Sequence, residues 1–390
     1  MVSKPLLYLD ACAATPPDPQ VLEQMQQQQN RFWGNPSSVH PAGIAAAELL
    51  ERSRQRLLEL LGWPQGQVVF TSGGTEADNL ALLGVARSME PARLLISPLE
   101  HPAVSAAAAQ LQQEGWTLEL LPLNERGQID LDALEGLLEP PTQLVSIAWA
   151  SSELGTLQPM DAIAARCAAA GIPLHSDAVQ VIGQLPLAGL QPIGPDLISL
   201  SAHKFQGPRG IGALVMQRPL HLKPQLLGGG QESGLRSGTE SPWLAAALVQ
   251  ALERREAQQP QLARRLRRQR DQLLEDLLKR GGIRLSGSSD LDQRLPHHIS
   301  LLLSDSAGEP VSGRAIVRAL AAHGVAISSG SACSSGRDRP SASLLATGVP
   351  SHEASSGIRI SLGPWIEDNQ LADLPDLLES QLRIPNAPAP

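Results

Sequence analysis

The chain has 390 residues, 42% of them hydrophobic, and its 39 acidic side chains outnumber 31 Lys and Arg to leave a net charge of −8. That length can bury a large core and predicts two or three domains, and the acidic balance argues against broad affinity for nucleic acid. No apolar run is long enough to span a membrane, and Met1 to Pro5 lead straight into a strand, so no signal peptide is expected; the three cysteines, at 12, 167 and 333, lack the CxxC spacing of a zinc site or the even pairing of a disulfide framework and favour a reducing compartment such as the cytoplasm.

In chain order, a short strand at Leu6 to Leu9 comes first. Strand-like runs follow at 67–70, 93–97, 117–121, 143–149, 172–176, 197–201 and 211–216, mostly alternating with helical stretches. That rhythm predicts an α/β fold with a mainly parallel seven-stranded sheet. A long helical region spans 244 to 280, where Leu262, Leu266, Leu273 and Leu277 mark an apolar face. The basic run Arg264 to Arg270 is then the solvated side of an amphipathic helix. The strand Ile299 to Leu303, the helix Ser312 to His323 and the strand Ile358 to Leu362 predict a second, smaller α/β domain, and the end from Pro385 reads as a disordered tail.

Three segments carry chemistry. In Ser199-Leu-Ser-Ala-His-Lys-Phe205 a lysine closes an apolar strand, where burial lowers an amine's pKa and makes Lys204 a candidate for Schiff-base formation with an aldehyde cofactor. Asp177 lies near the C-terminal end of the run Ile172 to Ala178, and ligands of open α/β sheets gather at the carboxyl ends of strands, so the two residues can face one site. A lysine with a carboxylate for a pyridinium nitrogen is what pyridoxal phosphate requires. The strand ending at Phe70 runs into Thr71-Ser-Gly-Gly-Thr-Glu76 and a helix, a turn that suits a phosphate. A plain capping box, Thr75 with Asp78, explains the same segment equally well.

Other features read as structural. Cys167 lies among alanines of a helix-like stretch, and Cys12, although close to the expected site, is also assigned a packed role. His297-His298 precedes a strand without further metal ligands. Gly207 to Gly212 lacks the strand–glycine–helix context of a dinucleotide loop.

Together with Tyr8-Leu-Asp10, Gly34 to His40, Glu100-His101, Glu153-Leu-Gly155, Asp177-Ala-Val-Gln180, Gly228 to Glu232, Arg236-Ser-Gly-Thr239, Gly330-Ser-Ala-Cys333 and Ile358 to Gly363, these segments form an ordered set running nearly end to end. The chain resembles the class V aminotransferases, and within them the cysteine desulfurases of the NifS and IscS type. The resemblance implies a fold-type-I transferase using pyridoxal phosphate, with a large domain over 16–255 and a small one from 1–15 and 256–390 that carries a catalytic loop at about 326–340. It implies Lys204 as the cofactor lysine, Asp177 as the ring-nitrogen partner, Gln180 as donor to the ring hydroxyl and His101 stacked on the ring. Gly74, Thr75, Ser201 and His203 are implied as phosphate ligands, with Thr239 reaching the phosphate of a partner subunit in a homodimer. Arg359, Asn35 and Ser152 are implied near the substrate.

Cys333 is implied as the nucleophile that takes sulfur from L-cysteine as a persulfide, leaving alanine. It lies in Ser328 to Gly336, whose serines and glycines predict a mobile loop. An ordinary cysteine has a pKa of about 8.5 and is mostly thiol at neutral pH, so a base is needed, and His101 is the candidate. No resident metal is implied, beyond a transient contact of Cys333 with an iron–sulfur cluster. Two departures bear on substrate and acceptor: Ser151-Ser152 replace the family's asparagines, and Arg337-Asp-Arg-Pro340 replace its acidic and aromatic residues. Three alternatives stay open: a cysteine, cystine or selenocysteine lyase that does not use Cys333, a class V aminotransferase, and a non-catalytic scaffold. The sulfur acceptor, such as an iron–sulfur scaffold or a tRNA-thiolation carrier, is not legible in the residues.

Overall fold

The computed structural model describes residues 6–190, 194–330 and 340–383; Cys333 with its loop and the tail from Pro385 lie outside them. Strand β1 (Leu7–Tyr8) leads to helices α1 (Pro19–Arg31) and α2 (Pro41–Leu61). Strands β2 (Gln67–Thr71), β3 (Arg93–Ile96), β4 (Thr117–Leu120), β5 (Thr142–Ser146), β6 (Leu174–Asp177), β7 (Leu197–Ser201) and β8 (Gly212–Met216) then build one sheet in the order β2-β8-β7-β6-β5-β3-β4. Its neighbours from β7 to β4 run parallel, and only β8 is antiparallel to β7 and β2.

Side chains alternate faces along a strand, and that alternation sorts the sheet into two cores. Val69, Leu94, Ile96 and Leu214 pack with α3 (Gly74–Ala86) and α4 (Pro102–Gln113). Val68, Phe70, Leu95, Val145, Ile198 and Leu200 face the other way, toward α2, α6 (Met160–Ala170) and α7 (Pro242–Gln258); α5 (Leu131–Leu137) lies at that side as well. Because both faces are covered, the strands read as continuous apolar runs. Cys167 lies in this second core, 1% exposed, as its alanine-rich context predicts.

The remaining elements are α8 (Gln261–Leu278), β9 (Ile283–Leu285), β10 (His298–Leu303), α9 (Gly313–Ala322), β11 (Val325–Ala326), β12 (Ser328–Ser329), α10 (Ala342–Ala346), β13 (Ile358–Ser361) and α11 (Leu374–Leu382). An antiparallel sheet in the order β12-β13-β10-β9 packs on α8, α9 and α11 around a further core that includes Leu266, Ile299, Leu301, Ile316, Ile360 and Leu378. Strand β1 pairs in parallel with β11, which ties the beginning of the chain to this core.

Two expectations need correction. The helical region 244–280 is two helices, α7 and α8, divided at Gln259–Pro260, since proline lacks the N–H that would continue the ladder. The Thr75–Asp78 capping box does not form: Gly73 is the N-cap of α3 without a side-chain bond, Glu76 Oε2 instead accepts from Ser72 N at 2.7 Å, and Asp78 is buried at 1% exposure.

Candidate active site

A cavity of about 300 Å³ opens where the carboxyl ends of β6 and β7 meet the N-terminal segment and β13. Asp177 is the last residue of β6, and its Oδ1 accepts from Val179 N at 2.9 Å, which aims the carboxyl along the strand end. Lys204 closes the short turn Ala202–Lys204 after β7; its Nζ donates to the carbonyls of Cys12 (2.5 Å) and Ala13 (3.2 Å). His101 caps α4, its Nδ1 accepting from Ala103 N at 3.1 Å, so a neutral ring carries its proton on Nε2. Arg359 comes from β13 and donates through Nη2 to Asp10 Oδ1 (2.7 Å) and through Nη1 to Ser152 O (3.0 Å).

Burial dominates the electrostatics. It lowers the pKa of Lys204, and nearby Arg359 adds to that, so an uncharged amine is more accessible than on a free lysine. It lowers His101 as well, with Asp177 opposing. It pushes Asp177 up, against the Val179 N–H and the positive charges of His101 and Lys204. Asp78 and Glu100 are driven well up, by burial first and by Asp177 in addition. Below them His175 is fully buried between Ser146 Oγ (2.8 Å) and Ser199 Oγ (2.9 Å) and is pushed down to about 3, so it is neutral.

Anion-binding groups line the other end of the cavity. Gly74 and Thr75 begin α3, where the first N–H groups have no intrahelical acceptor. A Cβ on Gly74 would lie 2.9 Å from Val179 Cγ2, and a Cβ on Gly212 would lie 2.7 Å from the Gly73 backbone, so both glycines are needed for the turn to sit this close to the sheet. Ser201 Oγ and His203 Nδ1 are 2.9 Å apart and complete this wall, and burial takes His203 down to about 4. A phosphate cradle, a carboxyl at a strand end and a lysine amine whose partners among the described residues are only carbonyls match the phosphate, ring nitrogen and aldehyde of pyridoxal phosphate.

Of the residues singled out in the sequence, Gly74, Thr75, His101, Ser152, Asp177, Gln180, Ser201, His203, Lys204 and Arg359 line this one cavity. Gln180 Nε2 already donates to Cys12 O at 3.0 Å. Asn35 does not line it; Asn35 is exposed, and its Oδ1 accepts from Ser37 N at 2.9 Å. Thr239 belongs to a separate cleft with Ser72, Arg236 and Glu240. Cys333 lies outside the described residues.

Sequence reasoning missed three contributions. Cys12 lines the cavity, and its carbonyl receives both Lys204 and Gln180, while its Sγ stands 3.4 Å from His297 Nε2. That histidine, read as structural, is fully buried and lowered to about 3. Asp10 holds the Arg359 fork, and Asp78 reaches the cavity from the inner face of α3. Only the placement of Cys12 near the expected mouth hinted at any of these. Among the described residues no cluster of His, Cys, Asp and Glu could hold a metal ion, and no helix is long and apolar enough to cross a membrane.

Such a site, on a seven-stranded sheet of this order, is that of a fold-type-I transferase. The family model for class-V aminotransferases matches residues 7–374, and the chain belongs to that family. Within it the relatives are cysteine desulfurases: IscS 1 of Archaeoglobus fulgidus is 35% identical over 95% of this chain and 95% of its own length, and a cysteine desulfurase of Nostoc is 36% identical over 94% and 90%. Among solved structures a NifS-like protein superposes with a TM-score of 0.87 at 31% identity, covering 97% of this chain and 99% of its own. A structure of SspA in complex with cysteine gives 0.78 at 31% identity, covering 93% and 100%.

Proposed function

We propose that the protein is an L-cysteine desulfurase that uses pyridoxal phosphate, forms L-alanine and takes the substrate's sulfur onto Cys333. The observation that carries the reading is the convergence of Lys204, Asp177, His101 and Arg359 on one cavity beside a glycine-lined anion cradle. Near-full-length similarity to cysteine desulfurases, and the solved SspA with cysteine bound, support the substrate.

When bound, pyridoxal phosphate supplies an electron sink for the bonds at the substrate's Cα and Cβ. Gly74, Thr75, Ser201 and His203 would hold its phosphate, Asp177 would keep its ring nitrogen protonated, and Gln180 would offer an amide N–H to its ring hydroxyl. Lys204, whose burial favours the free amine, would hold the cofactor through its aldehyde and would carry a proton at Nζ. Arg359, fixed in plane by Asp10 and Ser152, presents its remaining N–H groups to the substrate carboxylate. Neutral His101 accepts or delivers a proton at the reacting end. The Cys333 thiolate attacks the substrate sulfur: a sulfur–sulfur bond forms, the Cβ–S bond breaks, and Cβ keeps the electron pair and takes a proton. Alanine and a Cys333 persulfide balance the reaction without an added oxidant.

Three further parts belong to the same reading. The chain works as a homodimer in which Thr239 serves the partner's phosphate site; it divides into a large domain over 16–255 and a small one from 1–15 and 256–390; and it passes sulfur to an acceptor protein, such as an iron–sulfur scaffold, in a reducing compartment, the cytoplasm.

The test is to mix the pyridoxal-phosphate-loaded protein with L-cysteine without reductant, quantify alanine and map added sulfur by peptide mass spectrometry. One alanine per subunit with one sulfur atom added to Cys333 is the expected result. Alanine or pyruvate with no sulfur on Cys333, or wild-type product release by Cys333→Ala, moves the enzyme to the lyases.

A further inference from the structure

Glu76, Glu232 and Arg236 take no part in the reaction above, and none of them lines the cofactor cavity. Glu76 nonetheless follows directly on Thr75, so a carboxylate stands beside the anion cradle, where its like charge opposes a bound phosphate. What it holds accounts for its presence. Its Oε2 accepts from Ser72 N at 2.7 Å, across the turn, and its Oε1 accepts from Arg236 Nε at 2.7 Å, with a longer bond of 3.4 Å from Arg236 Nη2 to Oε2. Both side chains of this ion pair are mostly buried.

Four residues before Arg236, Glu232 grips the other end of the same turn. β2 is an edge strand, and its Phe70 N–H is received by Glu232 Oε2 at 2.9 Å in place of a further strand. Arg54 donates to the same carboxylate through Nη1 at 2.9 Å and Nη2 at 3.2 Å, and its Nη1 also donates to Val68 O, two residues earlier on β2. The Glu232 side chain is 1% exposed. Glu232 and Ser233 take φ of 49° and 59°, in the left-handed region that residues with a side chain rarely adopt. A glycine would take that backbone without strain but has no group to reach Phe70. Strain retained against such bonds points to a constraint on what the segment carries, and it carries Arg236.

We propose that the segment from Glu232 to Arg236 is a bracket on the phosphate turn: it fastens Phe70 before the turn and Glu76 after it, so the N–H groups at Gly74 and Thr75 are aimed from behind by side chains that never touch the cofactor. Glu76, Glu232 and Arg236 are positioning residues. This rests on the cradle at Gly74 and Thr75 being the phosphate site of pyridoxal phosphate.

The experiment determines dissociation constants for pyridoxal phosphate, and for pyridoxal, which lacks the phosphate, by equilibrium dialysis against the full-length apo protein. By charge alone, Glu76→Gln withdraws a negative group from beside the anion and would tighten pyridoxal phosphate; by position, it loosens the turn and weakens binding. Glu76→Gln and Arg236→Met are each expected to weaken pyridoxal phosphate about tenfold, the span of a charge-assisted hydrogen bond, and to leave pyridoxal within about twofold. Arg236→Met is also made on a Thr239→Ala background, since Thr239 lies on the same stretch of chain and is read as serving the partner's site; a further loss of about tenfold is expected if Arg236 acts on the turn of its own subunit. Unchanged or tighter pyridoxal phosphate in Glu76→Gln, an equal loss of pyridoxal, or no further loss on the Thr239→Ala background overturns the proposal. If Glu76→Gln does not fold, Arg236→Met, which keeps the bond from Ser72, carries the same comparison. Hydrogen–deuterium exchange of the peptide over 71–76 in the apo protein separates the bracket from the cofactor reading: exchange faster by about tenfold in the variants supports the bracket even if the parent binds no pyridoxal phosphate, and unchanged exchange overturns it.

Discussion

At the scale of single residues, the cavity is organised by what each group cannot find elsewhere. Arg359 is nearly buried and carries one fixed carboxylate, Asp10, so its charge is partly met before substrate arrives. Asp10→Asn keeps the shape but withdraws the charge; a charge-assisted hydrogen bond contributes about 1.5–3 kcal/mol, so KM for L-cysteine is expected to rise roughly tenfold or more with a smaller change in kcat, read from steady-state kinetics. His101 is held below the ordinary histidine value by burial. As pH falls through its lowered pKa the ring gains a proton and loses its role as base, so kcat/KM is expected to decline on an acid limb lying below about pH 6.5, and His101→Gln to abolish that limb with a loss of about 10²- to 10⁴-fold. The meeting of Lys204 and Asp177 in one cavity was legible in the sequence because each is a distinctive residue type at a strand end. The Cys12 carbonyl was not, because any residue has one, and Asp10 was not, because its partner is 349 positions away.

At the scale of elements, the strands were readable because burial on both faces leaves uninterrupted apolar runs; six of the seven predicted runs overlap the observed ones to within about two residues at either end. The run 143–149 extends past the strand: β5 ends at Ser146, and beyond it Ala148 and Ala150 line the site while Ile147 and Trp149 pack into the core and still donate to the carbonyls of β6. The helical region of 244–280 was read as continuous because its leucine spacing carries on past Pro260, where backbone chemistry overrides side-chain pattern. Two elements fit closely where β8 passes behind the cradle. A Cβ at Gly212 would lie 2.6 Å from Leu200 O and 2.7 Å from Gly73. Gly212→Ala is therefore expected to destabilise by about 1–3 kcal/mol through overpacking and to weaken pyridoxal phosphate retention, measured by thermal melting of apo and loaded protein.

At the scale of the whole molecule, buried ionisable groups set how stability follows pH. His297 and His175 are both held near 3 in the folded chain, against about 6.5 when unfolded. Between those values the unfolded chain binds the extra proton, so stability falls as pH drops through that window, by about 1.4 kcal/mol per pH unit for each ring. Asp78 and Glu100 work oppositely: their raised values give stability at low pH that is lost as pH rises through them. A single variant isolates one contribution, and the loss of melting temperature from pH 7 to pH 5 is expected to be smaller in His297→Gln than in the parent. The sheet around β10 and β13 could be foreseen from two strands and a helix, and the N-terminal strand from its apolar run, whereas the pairing of β1 with β11 could not, since a two-residue strand leaves no pattern to read.

That junction bears on how the protein is made. Residues 7–15 are made long before their partners: β1 waits for Val325 and Ala326, and Asp10 waits for Arg359 and Ser361. The carbonyls that receive Lys204 are thus synthesised well before the strands that hold their segment in place. The seven-stranded sheet and its phosphate cradle are built from residues 67–216, whereas the resting partners of the lysine are held by strands that come more than a hundred residues later.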